Sequence, residues 1–275
     1  MLCNKNIGFI GAGKMGEALI RGLLQSGRVK NSDIAVSDID EERLAFLAEA
    51  YGIMTARSNT ELAGAASIII IAVKPHILDG VLDELAGAGV ENRMLISVVA
   101  GATTERLAEK MPPGTRILRA MPNAPAAVLA GVTALYAGRT VTGDDLRQAV
   151  SIFECVGKTV VIQNESLMDA VTGLSGSGPA FVFLVMESLS DAGVHLGIPR
   201  KESALLAAQT VFGAARMALE TGRSPVELKD VVSTPGGTTV AGLKMLEKGR
   251  LRSTIMDAVE AAASRSRELG GRPQK

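Results

Sequence analysis

Two small-residue segments carry the hydroxyls and amides from which a site could be made. They are Leu174-Ser175-Gly176-Ser177-Gly178-Pro179-Ala180 and Ser233-Thr234-Pro235-Gly236-Gly237-Thr238-Thr239. Each opens an apolar, helix-prone run. Successive backbone N–H groups at a turn or helix start can hold an anion without a cation's help. Gly176, Ser177, Gly178, Gly237 and Thr238 are candidate donors, with Ser175 and Gly236 in the same two segments. The same glycines would also serve plain turns or close helix packing. No Lys or Arg lies between Thr159 and Pro199, so a carboxylate bound there would rest on amides. Thr239 ends the second segment with a hydroxyl that can donate or accept a hydrogen bond.

A third glycine segment stands near the start of the chain and gives these two a context. Ile7 to Ile10 reads as a buried strand, Gly11-Ala12-Gly13-Lys14-Met15-Gly16 follows, and a helix runs over Glu17 to Gln25. This is G-x-G-x-x-G in the strand–turn–helix setting of a dinucleotide site. Gly11 permits the tight turn, Gly13 lets the backbone approach a pyrophosphate, and Gly16 allows close helix–strand packing. A second strand, Ile34 to Ser37, ends at Asp38. An acid there hydrogen-bonds the adenosine ribose and repels a 2′-phosphate, which points to NADH. Asp38 or Asp40 would equally serve as a helix cap, and Arg43, one turn on, could accept a phosphate.

Those motifs need a scaffold, and the pattern supplies one. Ser67 to Val73 is a continuous β-branched run, as in a strand buried on both faces. It stops at Lys74-Pro75, at the carboxyl end where open α/β sheets bind ligands. Further strands are expected over Met94–Val99, Arg116–Ala120, Val132–Tyr136 and Thr159–Ile162, with helices over Thr103–Lys110 and Asp144–Val156. The alternation indicates a doubly wound parallel sheet. After about Asn164 only helical patterns remain: Phe181–Val194, Lys201–Glu220, Pro225–Val232, Val240–Lys248 and Ser253–Leu269. The first of these is apolar nearly all round, so it calls for burial on most faces, most simply against a second subunit.

Composition narrows the class. The 275 residues suit two domains. Acids and bases balance at 29 each, which argues against a nucleic-acid partner. Cys3 and Cys155 stand in no metal-ligand spacing, so no metal site is expected. Cys155 reads as a buried small hydrophobe, and a reducing cytoplasm fits. The first apolar strand begins too early for a signal peptide, and the Ile68–Val73 run is too short to span a membrane.

Gly11-x-Gly13-x-Met15-Gly16, Ala72-Val73-Lys74-Pro75, Met121-Pro122-Asn123 and the two small-residue segments, in that order, resemble pyrroline-5-carboxylate reductase. The resemblance implies a Rossmann-type domain over 1–163 and a smaller all-helical substrate-binding and dimerisation domain over 164–275. It implies reduction of 1-pyrroline-5-carboxylate to L-proline with NADPH or NADH, by a homodimer that sometimes builds decamers. In such enzymes the residue at Thr239 contacts the substrate nitrogen, and amides of both segments hold its carboxylate. The cofactor would meet Gly11 to Gly16, Ser37, Asp38, Asn59, Ala72 to Pro75 and Asn123. Family members that use NADPH often carry a small or basic residue where Asp38 stands.

The chemistry suits the inventory. Reducing a ketone leaves an alkoxide that needs a strong acid or cation beside it. An imine nitrogen is basic and can enter already protonated, so a hydroxyl suffices. His76 reads as a polar helix-start residue or a cleft residue, His195 as a helix-end residue favourable to the dipole. Lys74 is solvated or functional, and Met15 and Met121 pack around the cofactor. Asn123 orients the nicotinamide amide or stabilises a turn. Three rivals remain. One is a 3-hydroxyacid dehydrogenase, which the missing lysine opposes. The others are a reductase of a six-membered cyclic imine and a nucleotide sensor without turnover.

Overall fold

The structure, a computed structural model, describes residues 5–271; Cys3 lies outside them. The strands are β1 (Ile7–Ile10), β2 (Ile34–Ser37), β3 (Met54–Thr55), β4 (Ile68–Ile71), β5 (Met94–Ser97), β6 (Arg116–Met121), β7 (Gly131–Ala137) and β8 (Gly157–Val161). They form one sheet in the order β3-β2-β1-β4-β5-β6-β7-β8. The helices of this part are α1 (Lys14–Gln25), α2 (Glu41–Tyr51), α3 (Asn59–Ala65), α4 (Leu78–Ala86), α5 (Thr104–Lys110), α6 (Gly143–Phe153) and the single turn α7 (Met168–Val171). The expected doubly wound sheet is present. All pairings are parallel except β6 with β7. Only a short 3₁₀ turn, Ala124–Val128, joins those two strands. A parallel return needs a crossover of a dozen or more residues.

β4 shows why both faces of the sheet must be covered. Ile68 and Ile70 enter one apolar cluster with Phe9, Leu19, Leu23 and Phe153. Ile69 and Ile71 enter another with Leu62, Leu82, Leu85 and Leu107. Helices α1, α2 and α6 thus supply one layer, and α3, α4 and α5 the other. Each such side chain contributes on the order of 1.5–3 kcal/mol by leaving water.

The remaining helices are α8 (Gly178–His195), α9 (Arg200–Thr221), α10 (Pro225–Val231), α11 (Thr238–Lys248) and α12 (Leu251–Leu269). The chain divides into two compact units, residues 1–177 with 261–275, and residues 178–260. The sheet unit therefore takes in 164–177 and the end of α12, beyond the expected boundary at 163. The reason lies in buried polar contacts. Ser266 Oγ donates to Asp169 Oδ1 at 2.8 Å, and both residues are buried. Gly101 and Gly270 also meet so closely that a Cβ on Gly101 would lie 2.8 Å from the Gly270 nitrogen.

In the helical unit α8 packs on α9, with Ser203 Oγ donating to the Ser190 carbonyl at 2.6 Å. Gly197 (φ +94°) makes the sharp turn between them. The apolar surface of α8 is open within one chain, for Phe183 and Leu184 are 61% and 62% exposed. Among the described residues, one helical stretch, Glu165–His195, is long and apolar enough to cross a membrane.

Candidate functional site

The glycine loop follows β1 and is built for close approach. Gly11 has φ +105°, and a Cβ there would lie 2.6 Å from the Ala72 carbonyl oxygen. A Cβ on Gly16 would press on the Gly11 carbonyl, which locks α1 against the strand end. Gly13 differs, since a Cβ on it meets no protein atom within 4 Å. It is exposed and caps α1 with no side-chain hydrogen bond. Its freedom from protein neighbours leaves room for a ligand, and the amides of Lys14 and Met15 head a helix whose dipole favours phosphate. The loop thus fits a dinucleotide pyrophosphate.

Asp38 stands beside this loop. Its Oδ2 accepts the Ala12 N–H at 2.6 Å and its Oδ1 accepts the Asp40 N–H at 3.0 Å. The capping role falls to Asp40, whose Oδ1 accepts the Arg43 N–H. Arg43 reaches the same loop from the other side, with Nε donating to the Ala12 carbonyl at 2.8 Å. Its guanidinium pairs with Glu17 and lies 4.9 Å over the Phe46 ring. The Tyr51 hydroxyl donates to the other Glu17 oxygen at 2.9 Å. Burial pushes the Glu17 carboxyl up, but the hydrogen bonds from Arg43 and Tyr51, with the charges of Arg43 and Arg21, outweigh it and hold it low. Burial and the hydrogen bond to Glu17 push the Tyr51 hydroxyl up.

Ser37 and Asn59 meet at the end of β2, where Ser37 Oγ donates to Asn59 Oδ1 at 2.7 Å. Asn59 Nδ2 in turn donates to Glu84. Ala72 and Val73 continue β4 past the loop, and Ala72 N–H donates to the Ile10 carbonyl. Lys74 and Pro75 are exposed, as is His76 in the 3₁₀ turn Pro75–Ile77. His195 is the last residue of α8. Asn123 is buried and engaged at both ends of its amide. Oδ1 accepts the Val132 N–H at 2.9 Å and Nδ2 donates to the Ser175 carbonyl at 3.1 Å. Its side chain makes no hydrogen bond to the 3₁₀ turn that it precedes, and instead braces β7 to the segment at Ser175.

That brace ends on the first small-residue segment. Residues Thr172–Gly176 form a π turn, a conformation frequent at functional sites. Ser177 N–H donates to the Thr172 carbonyl and Ser175 Oγ to the Val171 carbonyl. The Ser177 amide is therefore used inside its own turn, and its hydroxyl is left to serve a ligand. A Cβ on Gly176 would meet Met121 Cε at 2.8 Å, whereas one on Gly178 meets nothing.

In the helical unit Gly236 (φ +71°) turns the second segment, and Gly237 N–H donates to the Thr234 carbonyl at 2.9 Å. Gly237 caps α11 with no side-chain hydrogen bond. Thr238 and Thr239 then occupy its first turn, with Thr239 half-buried. The Gly237 amide, a candidate donor by sequence, is thus used inside its own turn, which leaves the amides that follow it at the helix head to suit an anion.

Residue patterns alone missed a buried ionic cluster beneath the first segment. Arg119, 1% exposed in β6, lies 3.6 Å from both Glu165 and Asp169. The signal was Arg119 in the apolar middle of its strand, with two acids, Glu165 and Asp169, four residues apart downstream. Cys155 also departs from expectation. It is half-buried in a 3₁₀ turn, its thiol donating to the Ser151 carbonyl, because the helix ends two residues earlier.

Comparison with known proteins decides the family. The family model described as pyrroline-5-carboxylate reductase dimerisation matches residues 165–269. Another, described as NADP oxidoreductase coenzyme F420-dependent, matches 6–101. A curated pyrroline-5-carboxylate reductase of Methanosarcina acetivorans is 45% identical, over 97% of this chain and 98% of its own. The chain belongs to the pyrroline-5-carboxylate reductase family. A solved reductase of Coxiella burnetii superposes with a TM-score of 0.91 at 40% identity, covering 96% of this chain and 98% of that one. The Plasmodium falciparum pyrroline carboxylate reductase, solved with NADP bound, gives 0.88 at 34%, covering 97% and 98%. The dimerisation match spans the apolar α8.

Proposed function

We propose that this chain reduces 1-pyrroline-5-carboxylate to L-proline with NAD(P)H, the last step of proline biosynthesis. The likeness to curated reductases over nearly the whole chain carries this reading. The open cradle at Gly13 supports it from the residues themselves.

Bound NAD(P)H supplies the hydride, so the protein's task is to hold and orient. The loop Gly11-Ala12-Gly13-Lys14-Met15-Gly16 holds the pyrophosphate, Asp38 faces the adenosine ribose, and Ser37 and Asn59 border it. Ala72, Val73, Lys74 and Pro75 line the strand end, and Asn123 keeps the segment at Ser175 in place. The substrate carboxylate is held by Ser175, Gly176, Ser177 and Gly178 with Gly236, Gly237 and Thr238. Thr239 hydrogen-bonds the imine nitrogen. A nitrogen that arrives protonated needs alignment more than a strong acid, which suits a hydroxyl.

The working form is a homodimer closed through α8, with further assembly such as a decamer built on it. No membrane or nucleic acid takes part, and the free thiol of Cys155 is in keeping with a cytoplasmic setting. Chiral chromatography of the product tests the reading. L-Proline formed in step with NAD(P)H oxidation is expected; a six-membered imine carboxylate reduced efficiently while the five-membered one is not would overturn it.

A further inference from the structure

In doubly wound dinucleotide sites, an acid ending the second strand meets the ribose of NADH, whereas a nearby arginine receives the 2′-phosphate of NADPH. This chain carries both, Asp38 and Arg43, on either side of Ala12. Arg43 is already engaged. Its Nε donates to the Ala12 carbonyl, its Nη2 pairs with Glu17, and its plane rests on Phe46. Glu17 is itself fixed by the Tyr51 hydroxyl on its second oxygen. We propose that Glu17 sets cofactor choice by holding Arg43 away from a 2′-phosphate, so that the folded site favours NADH.

Charge and geometry agree on the direction. A 2′-phosphate would bring negative charge beside the Asp38 carboxylate, whose oxygens are held in place by the Ala12 and Asp40 amides. Arg43, which is hydrogen-bonded to this loop, has its charge answered by Glu17. These side chains are about three-quarters covered, with 27% exposure for Arg43 and 24% for Glu17, so solvent screens the pair less than on an open surface. Recruiting Arg43 to a phosphate would therefore require breaking its pair with Glu17. Glu17→Gln keeps the shape and a hydrogen-bonding oxygen while removing the competing charge. Glu17 acts through Arg43 and is a specificity residue, not a catalytic one.

The inference rests on the nucleotide site of the proposed function, and its test leaves the imine out. Calorimetry on the full chain would measure adenosine 5′-monophosphate against adenosine 2′,5′-bisphosphate. The wild type should bind the monophosphate more tightly. Glu17→Gln should shift the ratio toward the bisphosphate by roughly ten-fold, the scale of one charge-assisted hydrogen bond. Tyr51→Phe, a milder change that loosens Glu17, should shift it the same way by less. Adding Arg43→Gln to Glu17→Gln should abolish the shift. An unchanged ratio in both single variants overturns the proposal. So does a wild type that prefers the bisphosphate and loses that preference with Arg43→Gln, for Arg43 would then already serve the phosphate.

Discussion

Single side chains divide here between chemistry and support, and two substitutions separate the roles. Thr239 stands in the first turn of α11, a helix whose cap carries no side-chain hydrogen bond. Thr239→Ala should cut turnover roughly 10- to 100-fold, the range for losing a hydrogen bond to a charged group. Nucleotide affinity should stay nearly intact. Steady-state rates paired with calorimetry check this, and unchanged turnover would remove Thr239 from the chemistry. The Asp38 carboxylate braces Ala12, and the proposed function gives it the ribose as well. Asp38→Ser should raise kcat/KM for NADPH relative to NADH, with some loss of NADH affinity from the loosened loop. An unmoved ratio would leave Asp38 as a brace alone. Neither the Ala12 brace nor the Glu17–Arg43–Tyr51 cluster was readable from sequence, because no spacing rule joins residues 26 and 34 positions apart.

The elements that carry these residues were largely legible, and the misses have physical causes. Ile7–Ile10 and Ile34–Ser37 match the expected strands residue for residue. Their apolar runs are buried on both faces and so are written plainly. β3 is two residues long with both side chains exposed, which leaves no apolar pattern to find. Helix α3 had a readable start, Ser58 with Glu61 three residues on, but its seven residues are too few to show a period. The glycine loop invites a paired test. Gly13→Ala should leave the Tm of the free protein nearly unchanged while weakening nucleotide binding. Gly16→Ala should lower both, because its Cβ strikes the Gly11 carbonyl. Equal effects in differential scanning fluorimetry would contradict the division of labour. Below the first small-residue segment, Asp169→Ala should destabilise by about 3 kcal/mol in urea unfolding, the scale for breaking a buried ionic contact. A loss near zero would show that Arg119 and Glu165 hold β6 to this segment without it.

For the whole molecule, one chain leaves too much apolar helix in water to be complete. Phe183, Leu184, Leu205 and Leu206 are each more than half exposed, in the region matched by the family's dimerisation model. Leu184→Glu should shift sedimentation from dimer or larger to monomer, since a charge buried at an interface without a partner is strongly unfavourable; unaltered sedimentation would place the interface elsewhere. Initial rates are the measurement that bears on the reaction itself. NADH and NADPH oxidation would be followed in parallel, with and without racemic 1-pyrroline-5-carboxylate. Oxidation that depends on the imine is expected, with NADH the better donor. Nucleotide binding with no imine-dependent oxidation by either donor would contradict it.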